Sequence, residues 1–350
     1  MVIGFGWGVA GPVRVAHASA AGQRSEYVQS LIIRVALAVL VCPVAALAAF
    51  AVTGTWSWTV ALAVTAVALV GCGPTWFFVG RGKPFASLLL DTVPRVAGTV
   101  GAITLAAQGS SVIAIFIAQL AGIIVGLIAS TIYVLRMTGH HETVRTSRQQ
   151  LVHSVWTQTP GMVSALVATL YTTLPITIVA AFAPSALPVY ALVDKLQKQV
   201  SSSISPVIQI LQGYVARASE GQRGARLRRS FLGVASLSLT GAVLFSFVGT
   251  DILRWLSSGQ IAIGAIAVIL LGSTFGIILF EQFLSRAVIP RLDMLKRLPI
   301  ATIAGAIVGL ILVMILVMSS GAVGALLGVA IGLAVTVVLE LLIVWRGARQ

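Results

Sequence analysis

The stretch Ile300–Val317, IATIAGAIVGLILVMILV, carries no charge over eighteen residues. A helix rises about 1.5 Å per residue, so roughly 20 such residues cross the hydrocarbon core of a bilayer. Its apolar residues run continuously instead of alternating with period two, which excludes a strand of a membrane β-barrel. Comparable runs recur at Val35–Val52, Ile113–Leu127 and Ile261–Phe280. Over 350 residues the chain is 58% hydrophobic and only 9% charged, far from a soluble globular domain. The class that follows is all-α: a polytopic helical membrane protein.

Working outward from these runs, a short segment at 1–13 precedes spans near 31–53, 57–79, 86–107 and 111–135. After a polar stretch come spans near 151–182, 187–213, 230–250, 260–285, 299–319 and 322–345, which makes about eleven crossings. The chain divides into an N-terminal lobe at 1–135, a linker at 136–150 and a C-terminal lobe at 151–350. Charge orients the spans. One set of loops and span ends holds Arg14, Arg24, Arg34, Arg81, Lys83, Arg136, Arg145 and Arg148. Along the rest of the chain the same side holds Arg217, Arg223, Arg226, Arg228, Arg229, Arg286, Arg291, Lys296, Arg297, Arg346 and Arg349, whereas the opposite side holds only Arg254. The positive-inside rule puts the first set and the C-terminus in the cytoplasm of a bacterial inner membrane. An odd number of spans then places Met1 outside, and the halves hold five spans and six. The expectation is that a further apolar helix precedes Met1 in the reading frame.

The net charge of +14 is spread through these loops, so anionic lipid headgroups are the expected partner and nucleic acid is not. Cys42 and Cys72 fall inside apolar runs and read as small buried hydrophobes. Gly6-Trp7-Gly8-Val9-Ala10-Gly11 fits G-x-G-x-x-G, but no strand precedes it, so its glycines read as helix-packing positions. The same holds for Gly305, Gly309, Gly324, Gly328 and Gly332. His140 and His141 lack a ligand set, and no Walker A sequence exists, so no metal and no cofactor is expected.

Pro74-Thr75-Trp76-Phe77-Phe78-Val79-Gly80, followed by Arg81 and Lys83, closes the span at 57–79. It resembles the Pro-Thr-Trp-Phe-Phe-x-Gly signature of O-antigen and polysaccharide flippases (Wzx-type) in the multidrug/oligosaccharidyl-lipid/polysaccharide exporter superfamily. Gly11-Pro12-Val13-Arg14-Val15-Ala16 is similar to the end of that family's second helix. Pro188-Val189-Tyr190, with Asp194-Lys195-Leu196 after it, is similar to the start of its eighth. The resemblance implies two lobes around a central cavity. It also implies alternating access that moves undecaprenyl-pyrophosphate-linked oligosaccharide to the outer leaflet, with pathway glycosyltransferases and polymerase as partners.

The residues themselves point to where such a substrate would be held. Asp194, Lys198, Ser201, Ser205, Gln209 and Gln212 recur at three- and four-residue steps and share one face of the span at 187–213. Polar groups are costly in hydrocarbon, so this face turns to protein or to a water-filled cavity. Thr157, Gly161, Ser164, Ala168 and Thr172 form a milder stripe that reads as helix–helix contact. Arg95 and Lys198 lie about 9 and about 11 residues inside their spans, near mid-bilayer. An inward pair of cations would attract a pyrophosphate. Against this, Arg95 is also placed to pair with Asp91 one turn back. The substrate-binding candidates are Arg95, Lys198, Lys195, Arg34, Ser201, Ser205 and Gln209. Asp91, Asp194 and Glu281 are ion-coupling candidates, with simple charge pairing as the competing reading. The run Arg223–Arg229 reads as an amphipathic loop on anionic lipid. No acid, base or metal constellation suits an enzyme. The rival readings are an ion-coupled drug exporter of the same superfamily and a non-transporting scaffold.

Overall fold

A computed structural model of the chain describes residues 2–54, 56–139 and 146–347. His140, His141, Arg145 and Arg349, named above, lie outside the described residues. Those described form helices and turns, with no strand among them. In chain order the helices are α1 (Trp7–His17), α2 (Ala20–Thr53), α3 (Trp58–Val70), α4 (Thr75–Arg81), α5 (Pro84–Ala107) and α6 (Val112–Met137). They continue with α7 (Arg148–Phe182), α8 (Leu187–Ala216), α9 (Arg223–Leu256), α10 (Ala265–Arg291) and α11 (Leu298–Gly347). Eight helical segments are long and apolar enough to cross a membrane: α2, α3 with α4, α5, α6, α7, α9, α10 and α11. The protein is therefore a multi-pass helical membrane protein.

The chain forms two compact units, 1–162 and 163–350, and the boundary falls within α7. In the first unit an aromatic cluster ties α1, α2 and α4 together. Trp7, Tyr27, Phe77 and Phe78 are fully buried or nearly so, and Trp76 is 5% exposed. The Trp76 ring lies 6.4 Å from Trp7 and 6.5 Å from Tyr27, which meets Phe77 edge-on at 5.5 Å. Close approach of α1 and α4 depends on glycine. A Cβ on Gly11 would stand 2.4 Å from the Trp76 ring, and one on Gly80 would stand 2.7 Å from the Pro12 carbonyl oxygen. Gly6 takes φ +76 at the entry to α1 and packs on Gly161 of α7. Gly6 and Gly11 of the G-x-G-x-x-G match are thus packing positions, whereas Gly8 has open space around it.

Three departures from regular helix have a common cause. Proline lacks an N–H and its ring clashes with the carbonyl four residues back. Pro94 in α5 follows the π-helical turn Leu88–Thr92, and Pro290 in α10 follows the π-helical turn Leu284–Val288 at the same offset. In both, the helix widens by one residue where the proline would otherwise collide. Pro74 marks the third departure, a break at 71–74 that divides the span expected at 57–79 into α3 and α4.

In the second unit α11 is fifty residues long but is not a single rod. Gly321 adopts φ 54, ψ −130, and the chain folds back there. The arms then run antiparallel. Gly324 meets the Leu316 carbonyl, Gly328 meets the Val313 backbone, and Gly332 meets Gly309 and the Gly305 carbonyl. The five glycines singled out in the sequence all lie along this seam. The expected spans at 299–319 and 322–345 are its arms. An apolar cluster built from Phe283, Leu284, Ala287, Val288, Ile208 and Val215 packs α8, α10 and the end of α11. Helix α9 begins at Arg223, so the basic run to Arg229 is its opening two turns and the expected loop is not observed. Asp251 also lies in α9, 3.9 Å from Arg254.

Candidate functional site

In the first unit Arg34 of α2 and the Asp91–Arg95 pair of α5 gather at the α3–α4 break. Interrupting the helix frees carbonyl groups, and a buried carbonyl needs a donor. Arg34 of α2 supplies it, with Nη1 donating to Gly73 O at 2.8 Å and Gly71 O at 3.2 Å. Its Nε donates to Ser30 O at 3.3 Å, and the guanidinium lies 5.7 Å from the Trp76 ring centre. Arg34 is 1% exposed, and its Nη2 is without a partner among the described residues. On α5, Asp91 sits in the π-helical turn and is 3% exposed. Arg95 Nη2 donates to Asp91 Oδ2 at 2.5 Å, and its Nε donates to the Asp91 carbonyl at 3.1 Å. Thr75, the residue after Pro74, donates its hydroxyl to the same Oδ2 at 3.1 Å. The acid thus links the start of α4 to the cation of α5, and the Arg95 side chain keeps 30% exposure.

Elsewhere in the same unit, Arg14 donates to Glu26 at 2.5 Å and to Thr157 Oγ1 at 3.1 Å. Ser154 donates to Gln29 across α7 and α2, and Gln158 is wholly buried with neither amide atom partnered among the described residues. The milder stripe of α7 therefore begins as helix contact, since Thr157 accepts from α1 and Gly161 packs on Gly6.

The second unit repeats the acid–base spacing on α8. Lys198 Nζ donates to Asp194 Oδ2 at 2.7 Å, again one turn apart, and the lysine side chain is 47% exposed against 16% for the acid. Lys195 is exposed, and Ser201 and Ser205 are half-buried. Gln209 donates to Ser205 Oγ at 3.4 Å, while Ser201 Oγ has no partner among the described residues. Pro206 lies inside the helix between them. Helix α8 is long enough to span but does not number among the eight apolar segments, because its polar face lowers its hydropathy. Glu281 of α10 is half-buried, and Arg286, five residues on in the π-helical turn, is the cation whose charge bears on it. Among the described residues no three acidic, histidine or cysteine side chains converge as a metal site. Cys42 and Cys72 are both free and contribute to one apolar cluster with Ile3, Ala38 and Ala68.

At the basic end of the second unit, Arg226 donates to Tyr214 O at 3.2 Å and lies 4.8 Å from that ring centre, while Arg223 donates to Arg291 O at 3.2 Å. Burial and the neighbouring Arg226 hold the Arg217 guanidinium below its ordinary range. Glu340 is not among the acidic residues that the sequence singles out. Glu340 stands alone in the apolar run of the second arm of α11, is 0% exposed, and leaves both carboxylate oxygens without a partner among the described residues. A solitary carboxylate within a span was the available signal.

No protein-family model matches the sequence, and no curated protein matches it. Solved structures do. The Vibrio cholerae MATE transporter VcmN, in a substituted form, aligns with a TM-score of 0.75 at 15% identity over 99% of this chain and 85% of that one. An outward-facing multidrug resistance MATE family transporter of the MOP superfamily aligns at 0.69 and 15% identity, over 99% and 84%. A MOP superfamily transporter from Pyrococcus furiosus, described as having a binding pocket of reverse polarity that suggests a different function, aligns at 0.68 and 14%, over 99% and 84%. These proteins are transporters, and at such identities the likeness is one of fold. The chain has a MATE-like transporter fold.

Proposed function

We propose that the protein is a flippase for undecaprenyl-pyrophosphate-linked oligosaccharide, working by alternating access in the bacterial cytoplasmic membrane with its C-terminus inside. The observation that carries this reading is Lys198, a half-exposed cation well inside a spanning-length helix whose face also bears Ser201, Ser205 and Gln209. Asp194 pairs with it at 2.7 Å, and the exposed remainder of the ammonium still calls for water or a further anion. The signature at Pro74–Gly80 and the loop charges support the same reading. Arg95 is the cation assigned to the pyrophosphate in the first unit, with Lys195 as a further basic contact, while Arg34, 1% exposed and bound to the Gly71 and Gly73 carbonyls, holds the α3–α4 break. Asp91, Asp194 and Glu281 are the proposed ion-coupling groups. The partners proposed are the lipid-linked glycan, anionic lipids and the enzymes that build and polymerise the glycan.

Export of surface glycan tests this directly. A charge-assisted contact contributes roughly 1.5–3 kcal/mol, so Lys198→Gln should weaken substrate engagement about ten- to hundredfold. Lys198→Arg should keep much of the activity. If Lys198→Gln leaves glycan export intact while deletion of the protein sensitises cells to drugs, the drug-exporter reading replaces this one.

A further inference from the structure

Arginine is a planar group with five N–H donors, and the bonds Arg95 already makes decide which of them a ligand can reach. Nε and Nη2 lie on one edge of the guanidinium, and Asp91 takes up both, its carbonyl 3.1 Å from Nε and its Oδ2 2.5 Å from Nη2. Nη1 makes no hydrogen bond among the described residues, and the side chain keeps 30% exposure. What remains is the end of the group, Nη1 with the outer N–H of Nη2. These are two parallel donors spaced for two oxygens of one phosphoryl group.

That end holds one direction only if Asp91 is itself fixed. The Asp91 backbone is pressed against α6, where a Cβ on Gly126 would stand 3.2 Å from the Asp91 carbonyl oxygen. Its carboxylate faces the α3–α4 break, where a Cβ on Gly73 would stand 3.7 Å from each oxygen. The last torsion of an aspartate is soft, so a buried backbone does not by itself set the carboxylate plane. The Thr75 hydroxyl does, donating to Oδ2 at 3.1 Å. Thr75 is anchored in turn, since Pro74 is buried on one side and Trp76 sits in the aromatic cluster on the other. Helix α8 lacks this third member: Asp194 accepts from Lys198, and no hydroxyl donates to it among the described residues.

We propose that Thr75 is a positioning residue, whose hydroxyl holds the Asp91 carboxylate and through it the plane of Arg95, so that the Nη1–Nη2 end grips a single phosphoryl group. This rests on the flippase reading. It gives Arg95 a set direction, whereas Lys198 supplies charge without one.

The test is binding of farnesyl pyrophosphate, a soluble polyprenyl pyrophosphate, to the purified full-length protein in lipid nanodiscs. Thr75→Val keeps the shape of the side chain and removes the hydroxyl, and it should weaken binding about two- to tenfold, the loss expected for one hydrogen bond. Thr75→Ser should restore the affinity. With Arg95→Gln already present, Thr75→Val should cost nothing further, whereas with Lys198→Gln present it should cost its full factor. Equal affinity of Thr75→Val and the unsubstituted protein overturns the positioning role and leaves the flippase reading standing. A loss that persists in full on Arg95→Gln overturns it too, since the substitution would then act on α4 at large. Absence of binding by the unsubstituted protein overturns the flippase reading and the phosphoryl ligand together.

Discussion

Asp91 and Arg95 show how one pair can serve both structure and transport. The carboxylate is 4% exposed and bonds Thr75 as well as Arg95. Removing the cation leaves a buried charge with a single hydroxyl partner. Arg95→Gln should therefore lower stability by roughly 1–3 kcal/mol, less than for a fully buried pair because Arg95 is partly exposed. Asp91→Asn combined with Arg95→Gln should recover most of the melting temperature while leaving glycan export impaired. Recovery of export by the double change would reduce Arg95 to a counter-ion for Asp91. Arg34 makes a sharper case. Its Nη1 holds the Gly71 and Gly73 carbonyls while Nε reaches Ser30 O, a spread of donors that the single nitrogen of lysine does not reproduce. Arg34→Lys should cost roughly 1.5–3 kcal/mol for each bond lost, read as a fall in the thermal midpoint of the purified protein. The sequence puts Arg34 near the end of the span expected at 31–53, whereas α2 already begins at Ala20, and the carbonyl partners of Arg34 exist only because the next span breaks at Gly71–Pro74.

At the scale of elements, hydropathy reveals the spans because burial in lipid demands long apolar runs whatever their detailed packing. It is blind to the π-helical turns, where composition does not change and only a proline two residues beyond marks the site. It is equally blind to Glu340, since one acid hardly lowers the mean of an apolar run. Glycine positions are legible as packing sites, but their partners are not. In α11 a Cβ on Gly324 would stand 2.0 Å from the Leu316 carbonyl, and one on Gly305 would stand 1.8 Å from the Thr336 hydroxyl. Gly233 in α9 has open space around it. Gly324→Ala should accordingly destabilise the protein by roughly 1–3 kcal/mol through overpacking. Gly233→Ala should be neutral or stabilise by up to about 1 kcal/mol, as expected for an unobstructed helical position. Thermal unfolding of both variants, side by side, checks the contrast.

For the whole molecule, the charge asymmetry makes a claim about sidedness that packing alone does not test. In a background with Cys42 and Cys72 replaced, Ser219→Cys should resist a membrane-impermeant maleimide in intact cells and react after lysis. Gln260→Cys, in the turn after α9, should react in intact cells. Reversal of the two would overturn the orientation. Both positions are exposed, so reactivity reports the side of the membrane.

The fold at Gly321 also bears on how the protein is made. The two arms of α11 are joined with no polar loop, only Ser319 and Ser320 before the glycine. A ribosome threading this region into a membrane has no hydrophilic stretch to push across between one arm and the next. The arms can leave the insertion machinery together as a preformed hairpin, zipped along their glycine seam. Lengthening that corner by a few charged residues would force the arms to enter one at a time. The seam would then have to be found by diffusion within the bilayer.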